Sequence, residues 1–355
     1  MRSWHPDGTS VIVPVLNGEP WLADVLAALL AQSNGDPLEL LVVDDGSTDA
    51  SCRIVREMSA ADARIRLLHA GGRGAAAAIN VGVQAARYAI IGQVDQDVIV
   101  LPGWLDALRK ALAPEEIGAV QGVYVPDREA PLLSRVMALD LALRYSRLPH
   151  GGTDHVCTGN VAYRAAALAA VGPLDERLGY GYDNDLSYRL VAAGYRLRVC
   201  PTARSLHRWR DDLRGYLVQQ YGFGYGRLDL IAKHRGRLGG DAVSPLMMMA
   251  HPVVLTIALF LTAVGLVLAS LGRVPVTAFA LAGGCLVVLA AERLRAGIRA
   301  ARLFQDRAGL WFPIVHLLRD LAWIAACVTW TARRACGRPP APRDSMSPRP
   351  ARSRD

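Results

Sequence analysis

A long apolar stretch in the last third of the chain constrains the structure most strongly. Residues 246–271 are apolar apart from His251, two threonines and Ser270. A helix of this length, rising about 1.5 Å per residue, crosses a hydrocarbon core about 30 Å thick. The whole chain of 355 residues is 52% hydrophobic with a mean hydropathy of +0.20, which is high for a purely soluble protein. The stretch is therefore predicted to span a membrane.

A second apolar stretch, residues 274–291, follows after a very short turn at Gly272 and Arg273. Two apolar runs joined in this way predict a transmembrane helical hairpin. Basic residues flank it on both sides: Lys233, Arg235 and Arg237 before it, and Arg293, Arg295, Arg299 and Arg302 after it. Because basic flanks stay on the cytoplasmic side, we expect a cell-membrane protein whose N-terminal part faces the cytoplasm.

The end of the chain contains a third apolar stretch, residues 310–331, with Arg319 and Asp320 near its centre. It is either an interfacial helix or a third membrane span with a buried charge pair, and the interfacial form is favoured. Residues 246–331 are together predicted to be membrane-anchoring helices. Residues 337–355 are rich in Pro, Arg and Ser and are predicted to be a disordered basic tail.

The N-terminal part alternates strand and helix patterns. Apolar runs predict strands at 10–15, 38–43, 65–69, 88–94 and 117–122, and helical spacing predicts helices at 21–32, from Thr48, within 71–87 and at 102–112. This alternation predicts an α/β fold with a doubly wound, mostly parallel sheet. A helix at 131–145, a strand at 157–163, a helix at 183–193 and a short strand at 195–199 follow. Residues 1–240 are predicted to form one domain with halves 10–122 and 123–240.

Acidic residues follow two of the predicted strands, Asp44 and Asp45 after one and Asp95 and Asp97 after another. In such sheets ligands bind where the strands end, so these four side chains are expected in one crevice. Carboxylates two residues apart can share a divalent cation such as Mg²⁺ or Mn²⁺. A solvated acidic turn is the alternative for an isolated Asp-x-Asp, but the position after a buried strand favours a metal site.

Three further features are candidates for chemistry. Arg73 lies in a Gly-rich turn that either approaches a phosphate or is a simple loop. Asp183 begins a predicted helix, where a carboxylate acts as a general base or as an N-cap. His207, among several arginines, either completes the metal site or is an ordinary surface or core residue.

Four segments, taken in order, resemble family 2 glycosyltransferases. They are Val13–Pro14–Val15–Leu16–Asn17–Gly18, Asp44–Asp45–Gly46–Ser47–Thr48–Asp49, Asp95–Gln96–Asp97 and Asp183–Asn184–Asp185–Leu186–Ser187–Tyr188–Arg189. The resemblance covers about residues 10–230 and implies the GT-A fold and an inverting transfer from a nucleotide-diphosphate-sugar donor. The segment from Gln219 to Arg227, followed by membrane spans, is similar to the membrane-anchored subgroup that builds exopolysaccharides and glycolipids, of the succinoglycan-synthesis type.

The resemblance also implies roles for most of the site residues. Pro14 and Asn17, with Val13, would line the nucleotide pocket, Asp45 with Asp44 beside it would contact the base, and Asp95 would contact ribose or metal. Asp97 would bind the metal, Mn or Mg, and Asp183 falls on the catalytic-base position. His207 falls near the position of a histidine that ligates metal in some members. The resemblance gives no role to Arg73, whose phosphate contact is predicted from the Gly-rich turn alone.

The sequence departs from the family pattern in three places. The position before Asp183 is often acidic and is Tyr182 here, and the usual Arg before the asparagine of the third family motif is Ile79, ahead of Asn80. The Gln-x-x-Arg-Trp motif of processive synthases is absent, which favours a single sugar transfer. The expected acceptor is lipid-linked or a glycan.

Two other functions remain as alternatives, and one is excluded by composition. A nucleotidyltransferase would need a Gly-rich signature with a lysine near the first strand, but the first lysine is Lys110. A non-catalytic membrane scaffold with the same fold would be expected to have lost the acidic residues, which are present. The net charge is +8, but the arginines are spread along the chain and only 6% of residues are aromatic, so no nucleic-acid partner is expected.

Overall fold

The computed structural model describes residues 4–33, 35–148 and 152–337, and these residues form two compact units. The sheet unit contains the described residues of Met1–Val125 and Tyr145–Arg208, and the helical unit contains those of Pro126–Arg144 and Trp209–Pro348. The units thus place residues 126–144 and 209–240 with the C-terminal helices. The predicted domains 1–240 and 246–331 were drawn from sequence composition and stay a prediction. Apart from Gly337, the predicted tail lies outside the described residues.

The sheet unit contains, within the described residues, one mixed sheet of nine strands. In chain order they are β1 (His5–Val15), β2 (Leu38–Asp44), β3 (Ile65–His69), β4 (Tyr88–Val94), β5 (Val98–Val100), β6 (Ile117–Tyr124), β7 (Gly152–Thr153), β8 (Asn160–Arg164) and β9 (Arg196–His207). Their spatial order is β3-β2-β1-β4-β8-β6-β9-β5, and β7 pairs with β9. The first four strands in this order pair in parallel, as predicted, whereas β8 is antiparallel to both of its neighbours.

The burial of the strands explains why the first half of the sheet can be predicted from the sequence. Every residue of β2 is buried, which suits a continuous apolar run covered on both faces. The strand β9 is longer than the predicted 195–199 because its second half pairs with β5 and β6, where Val98 lies opposite His207 and Tyr124 opposite Ser205. These are long-range pairings that a local apolar pattern does not contain.

Six helices in the described part of this unit pack against or beside the sheet. They are α1 (Leu22–Leu30), α2 (Ser51–Ala61), α3 (Ala75–Ala85), α4 (Trp104–Leu112), α6 (Ala165–Val171) and α7 (Tyr182–Ala192). The predicted helix start near Thr48 is wrong, because α2 begins only at Ser51. The backbone N–H of Thr48 instead donates to the side chain of Asn17 at 2.8 Å, which holds residues 46–50 in a turn.

The helical unit contains the remaining helices. They are α5 (Leu132–Tyr145, with Tyr145 itself in the sheet unit), α8 (Leu213–Lys233), α9 (Leu246–Ser270), α10 (Val276–Leu303) and α11 (Phe312–Ala335). The helix α8 approaches α11 closely at Gly224, where a Cβ would meet the Cα of Trp323 at 3.0 Å. The helix α9 is likewise close to α10 at Gly265, where a Cβ would meet the ring of Phe279 at 2.6 Å.

Three helical segments of this unit, Leu246–Ser270, Val276–Leu303 and Arg307–Ala335, are long and apolar enough to cross a membrane. The first two form the predicted hairpin around Gly272. The third has the length and hydropathy of a span, and its placement at the interface stays a prediction. Its two central charges are buried within the unit: Asp320 pairs with Arg293, and Arg319 lies 3.8 Å from Asp140.

Candidate active site

The edge where β1 and β2 end is held together by side-chain to backbone hydrogen bonds. The backbone of Asn17 has a φ of 54°, a left-handed conformation that asparagine tolerates better than most residues. The backbone N–H of Asn17 donates to the hydroxyl of Ser47 at 2.9 Å. Pro14 lies opposite Val43 in the parallel pair, one residue before Asp44. The predicted pocket residues Pro14, Asn17 and Asp44 therefore lie at one edge of the sheet.

The carboxylates of Asp44 and Asp45 are both buried, and both accept backbone hydrogen bonds. Asp44 accepts from the N–H groups of Gly46 and Ser47, each at 3.1 Å. Burial by itself would raise the pKa of Asp44, but the hydrogen bonds from Ser47 and Gly46 outweigh it and the pKa is lowered. Asp45 accepts from the N–H groups of Arg73 and Gly74 at 2.8 and 2.7 Å. Asp45 therefore fixes the Gly-rich turn to the end of β2.

The side chain of Arg73 bonds within the protein. Its guanidinium donates to the carbonyl of Ala70 at 2.9 Å and lies 3.3 Å from the carboxylate of Glu176. Asn80 donates to the same carboxylate at 3.0 Å. The structure therefore places Arg73 beside the site with its charge compensated by Glu176, and its predicted phosphate contact stays a prediction.

Asp95 follows β4 in a partly buried position, with Gly159 against its carboxylate. Gln93 donates to its Oδ1 at 2.9 Å and accepts from the N–H of Gly159 at 3.0 Å. A Cβ on Gly159 would lie 2.4 Å from Oδ2 of Asp95, so only glycine leaves room for this carboxylate. Burial and the negative charge of Asp97 raise the pKa of Asp95 to about 7. The negative charges of these two carboxylates repel each other, and a bound cation would stabilise both.

Gln96, between the two aspartates, has a structural role that the sequence interpretation missed. Its Oε1 accepts from the backbone N–H of Leu16 at 2.8 Å, and its Nε2 donates to the carbonyl of the same residue at 3.1 Å. This double hydrogen bond ties the Asp95–Asp97 turn to the end of β1. Gln93 is a polar residue within an apolar strand, a pattern that indicates a structural role. No local pattern indicates such a role for Gln96.

Asp97 lies close to His207. The Nε2 atom of His207 is 3.9 Å from Oδ1 of Asp97, and its ring packs edge-on against Tyr124 with centroids 5.1 Å apart. The next residue, Arg208, donates its backbone N–H to the carbonyl of Asp97 at 2.9 Å, and its guanidinium lies 5.3 Å from the ring centroid of Trp21. The extended β9 strand is what carries His207 to this edge.

Asp183 lies in the first turn of α7 and accepts the backbone N–H of Asn184 at 2.9 Å. Its Oδ2 lies 3.5 Å from Nε2 of the buried His155, a neighbour that the sequence interpretation did not identify. The charge of Asp183 also contributes to the raised pKa of Asp95, which places both carboxylates in one electrostatic environment. Burial, followed by the charges of Asp95 and Asp183, raises the pKa of Tyr182.

The chemistry of these side chains suits a divalent cation. Asp95 and Asp97 offer carboxylate oxygens, the donors that Mn²⁺ and Mg²⁺ prefer, and His207 offers an imidazole nitrogen beside Asp97. Gly159 leaves room for the carboxylate of Asp95, and the raised pKa of Asp95 agrees with an anionic pair that a cation would stabilise.

Comparison with known proteins gives a consistent result. The family model described as glycosyl transferase family 2 matches residues 10–172. The pre-mycofactocin glycosyltransferase of Mycobacterium tuberculosis is 29% identical over 354 residues, covering 94% of this chain and 69% of that protein. The succinoglycan biosynthesis protein ExoA of Rhizobium meliloti is 25% identical over 249 residues, covering 66% of this chain and 74% of that protein.

A solved structure shares the fold. The mannosyltransferase of Pyrobaculum calidifontis, determined in complex with GDP-Man and Mn²⁺, superposes with a TM-score of 0.59 at 21% identity, covering 92% of this chain and 88% of that one. The predicted GT-A type of α/β fold with a C-terminal apolar hairpin is thereby confirmed. The antiparallel pairings in the second half of the sheet are the feature that the strand and helix pattern did not predict.

Proposed function

We propose that this chain, a glycosyltransferase with a family 2 domain at residues 10–172, moves a single sugar from a nucleotide-diphosphate-sugar to an acceptor hydroxyl at the cytoplasmic face of the cell membrane. The observation that carries this proposal is the partly buried carboxylate pair of Asp95 and Asp97, tied by Gln96 to the end of β1. The proposed acceptor is lipid-linked or a glycan.

The nucleotide occupies the edge formed by the ends of β1 and β2. Asn17 and Pro14 line this part, and the carboxylates of Asp44 and Asp45 present acceptors for base N–H groups beside their backbone partners. Asp95 receives a ribose hydroxyl or the metal. The mannosyltransferase with the same fold was determined with GDP-Man, which supports a nucleotide-sugar donor of this general class.

Asp97, Asp95 and His207 are the residues that would hold a divalent metal, Mn²⁺ or Mg²⁺. When bound, the cation neutralises the charge of the diphosphate as it leaves. The protein's own contribution is to keep these three side chains in place: Gln93 orients Asp95, and Gln96 and Arg208 fix the turn that contains Asp97.

Asp183 acts as the general base. The acceptor hydroxyl attacks the anomeric carbon from the face opposite the diphosphate, its proton passes to the Asp183 carboxylate, and the bond between the sugar and the diphosphate breaks. The new glycosidic bond has inverted configuration. The N–H of Asn184 holds one oxygen of Asp183 and leaves the other available for the proton.

The apolar helices α9 and α10 hold the enzyme at the membrane. Their outward faces expose large apolar side chains such as Phe260, Val267 and Val287, which suit contact with lipid chains. An enzyme held at the interface meets a lipid-linked acceptor more often than a freely diffusing enzyme does. The basic residues on both sides of the hairpin orient the sheet unit toward the cytoplasm.

The test is turnover of nucleotide-sugars by the full-length protein purified in detergent. A panel of donors is assayed with Mn²⁺, Mg²⁺ or EDTA, using Asp97→Asn and Asp183→Asn as test variants and the exposed Asp24→Asn as the matched control. Metal-dependent turnover of one donor that is lost in both test variants and kept in the control supports the proposal. A protein that binds no donor at all would refute it and favour a membrane scaffold.

A further inference from the structure

Three side chains of different chemistry converge beside the proposed catalytic base. They are the imidazole of His155, the thiol of Cys157 and the carboxylate of Asp183, whose potential ligand atoms all lie within 4.8 Å of one another. The Nε2 atom of His155 is 3.5 Å from Oδ2 of Asp183 and 3.9 Å from Sγ of Cys157. The proposed transfer mechanism uses neither His155 nor Cys157.

These separations are close to the edges of a zinc coordination tetrahedron. Zinc binds nitrogen and oxygen at about 2.0–2.1 Å and sulfur at about 2.3 Å, which separates neighbouring ligands by about 3.3 Å for N and O and about 3.6 Å for N and S. The two distances from Nε2 of His155 exceed these values by only a few tenths of an ångström, and the sulfur of Cys157 lies within 4.8 Å of the Asp183 carboxylate. A combination of thiolate, imidazole and carboxylate is also a ligand set that favours Zn²⁺ over Mg²⁺ or Mn²⁺.

Buried polar contacts hold the backbone of this cluster in place. Gln121, which is fully buried, accepts the N–H of Cys157 at 2.6 Å and donates to the hydroxyl of Tyr145 at 2.5 Å. That hydroxyl lies 3.5 Å from the sulfur of Cys157. The hydroxyl of Thr153 accepts the N–H of His155 at 3.2 Å. Such outer contacts orient metal ligands before the metal arrives.

A second group with similar residue types is less suited to a metal. It consists of Asp44, Cys52 and His69. The carboxylate of Asp44 already accepts two backbone hydrogen bonds, and the side chain of His69 is 60% exposed. This group therefore serves as an internal comparison for the first one.

We infer that His155, Cys157 and Asp183 form a second metal site that binds Zn²⁺ and inhibits the enzyme. Binding releases the proton of the Cys157 thiol to solvent and leaves one coordination position for water. The ion binds the carboxylate of Asp183, which can then no longer accept the proton of an acceptor hydroxyl. The inhibitory part rests on the proposed function of Asp183, whereas the metal site itself does not.

Co²⁺ is the probe for binding, because a Co²⁺–thiolate bond gives a near-ultraviolet charge-transfer band. Full-length protein in detergent is titrated with Co²⁺ and then with Zn²⁺, comparing wild type with Cys157→Ser and with Cys52→Ser as the matched control. We expect the band in wild type and Cys52→Ser, its displacement by Zn²⁺, and its loss in Cys157→Ser. In Cys157→Ser the affinity for Zn²⁺ should fall at least about 10- to 100-fold, because loss of even an outer-shell partner has an effect of this size.

Several results would overturn the metal site: no band in wild type, a band that persists in Cys157→Ser, or a band that depends on Cys52. Circular dichroism and the thermal midpoint show whether Cys157→Ser is folded, and His155→Gln, which must also weaken Zn²⁺ binding, gives a second variant. This titration needs no turnover, so it decides the site even if the proposed function fails.

The inhibitory role is tested by turnover at saturating Mn²⁺ with added Zn²⁺. We expect Zn²⁺ to inhibit wild type and Cys52→Ser at concentrations that leave Cys157→Ser active relative to its own zinc-free rate. Equal inhibition of all three proteins, or none in wild type, would overturn it.

Discussion

Replacement of Gly159 by alanine tests how the protein makes room for Asp95. The new Cβ would lie 2.4 Å from Oδ2 and 2.7 Å from Cγ of Asp95, whereas ordinary contacts begin near 3.4 Å. The carboxylate must therefore retreat by about 1 Å, and a displacement of this size in an active site costs about 100-fold in rate. We expect donor turnover per folded protein to fall by about that factor.

The same substitution also costs stability, and the two contributions can be separated. The φ of Gly159 is +97°, where a residue with a Cβ loses about 1–2 kcal/mol, and overpacking adds about 1–3 kcal/mol. Gly103→Ala is the matched control, because Gly103 has a φ of +79° with no atom within 4 Å of its would-be Cβ. Gly103→Ala should lose only about 1–2 kcal/mol of stability, the cost of the positive φ, and it should keep its turnover.

The assays are thermal unfolding in detergent and turnover of the donor identified by the panel. Gly159→Ala should unfold at a lower temperature than Gly103→Ala and should lose turnover, while Gly103→Ala keeps it. Near wild-type turnover in Gly159→Ala would refute the reasoning, because Asp95 would then tolerate the displacement. An equal loss of turnover in Gly103→Ala would refute it as well, because backbone strain alone would be responsible.

Three further predictions follow from other contacts. Gln96→Ala should raise the donor KM by an amount equivalent to about 1–3 kcal/mol, because two hydrogen bonds to the end of β1 are lost; steady-state kinetics that show an unchanged KM would contradict this. Asp320→Asn should destabilise the helical unit by about 3–5 kcal/mol, because Arg293 is left buried without its partner. Thermal unfolding in detergent measures this, and the exposed Glu57→Gln, expected to cost at most about 1 kcal/mol, is the control. A cysteine at Arg273, in a cysteine-free background, should react with a membrane-impermeant maleimide from outside intact cells, and protection there would contradict the predicted orientation of the hairpin.

Local patterns were sufficient for much of the architecture. The run of buried apolar residues in β2 and the helical spacing that follows it predict a parallel sheet, and parallel connectivity brings Asp44 and Asp95 to one edge without knowledge of distances. The apolar hairpin was equally readable, since length and hydropathy decide whether a helix can cross a membrane. Order and spacing of the acidic segments indicated the family.

The contacts of individual site residues were decided only in three dimensions. The sequence makes Arg73 a candidate for a phosphate contact, but only the fold brings Glu176, more than 100 residues later, beside its guanidinium. His207 reaches Asp97 only because β9 continues along β6 and β5, a pairing between distant segments. His155 has no sequence signal that connects it with Asp183.

The sequence by itself determined the fold type, the placement of acidic residues after two of the strands and the apolar helices, because these depend on periodicity and composition along the chain. Tertiary structure decided which side chain lies against which, because those contacts join residues that are far apart in sequence and depend on packing geometry. The environment of Asp95 shows both: its place after β4 follows from the sequence, but only packing brings Gly159 against its carboxylate.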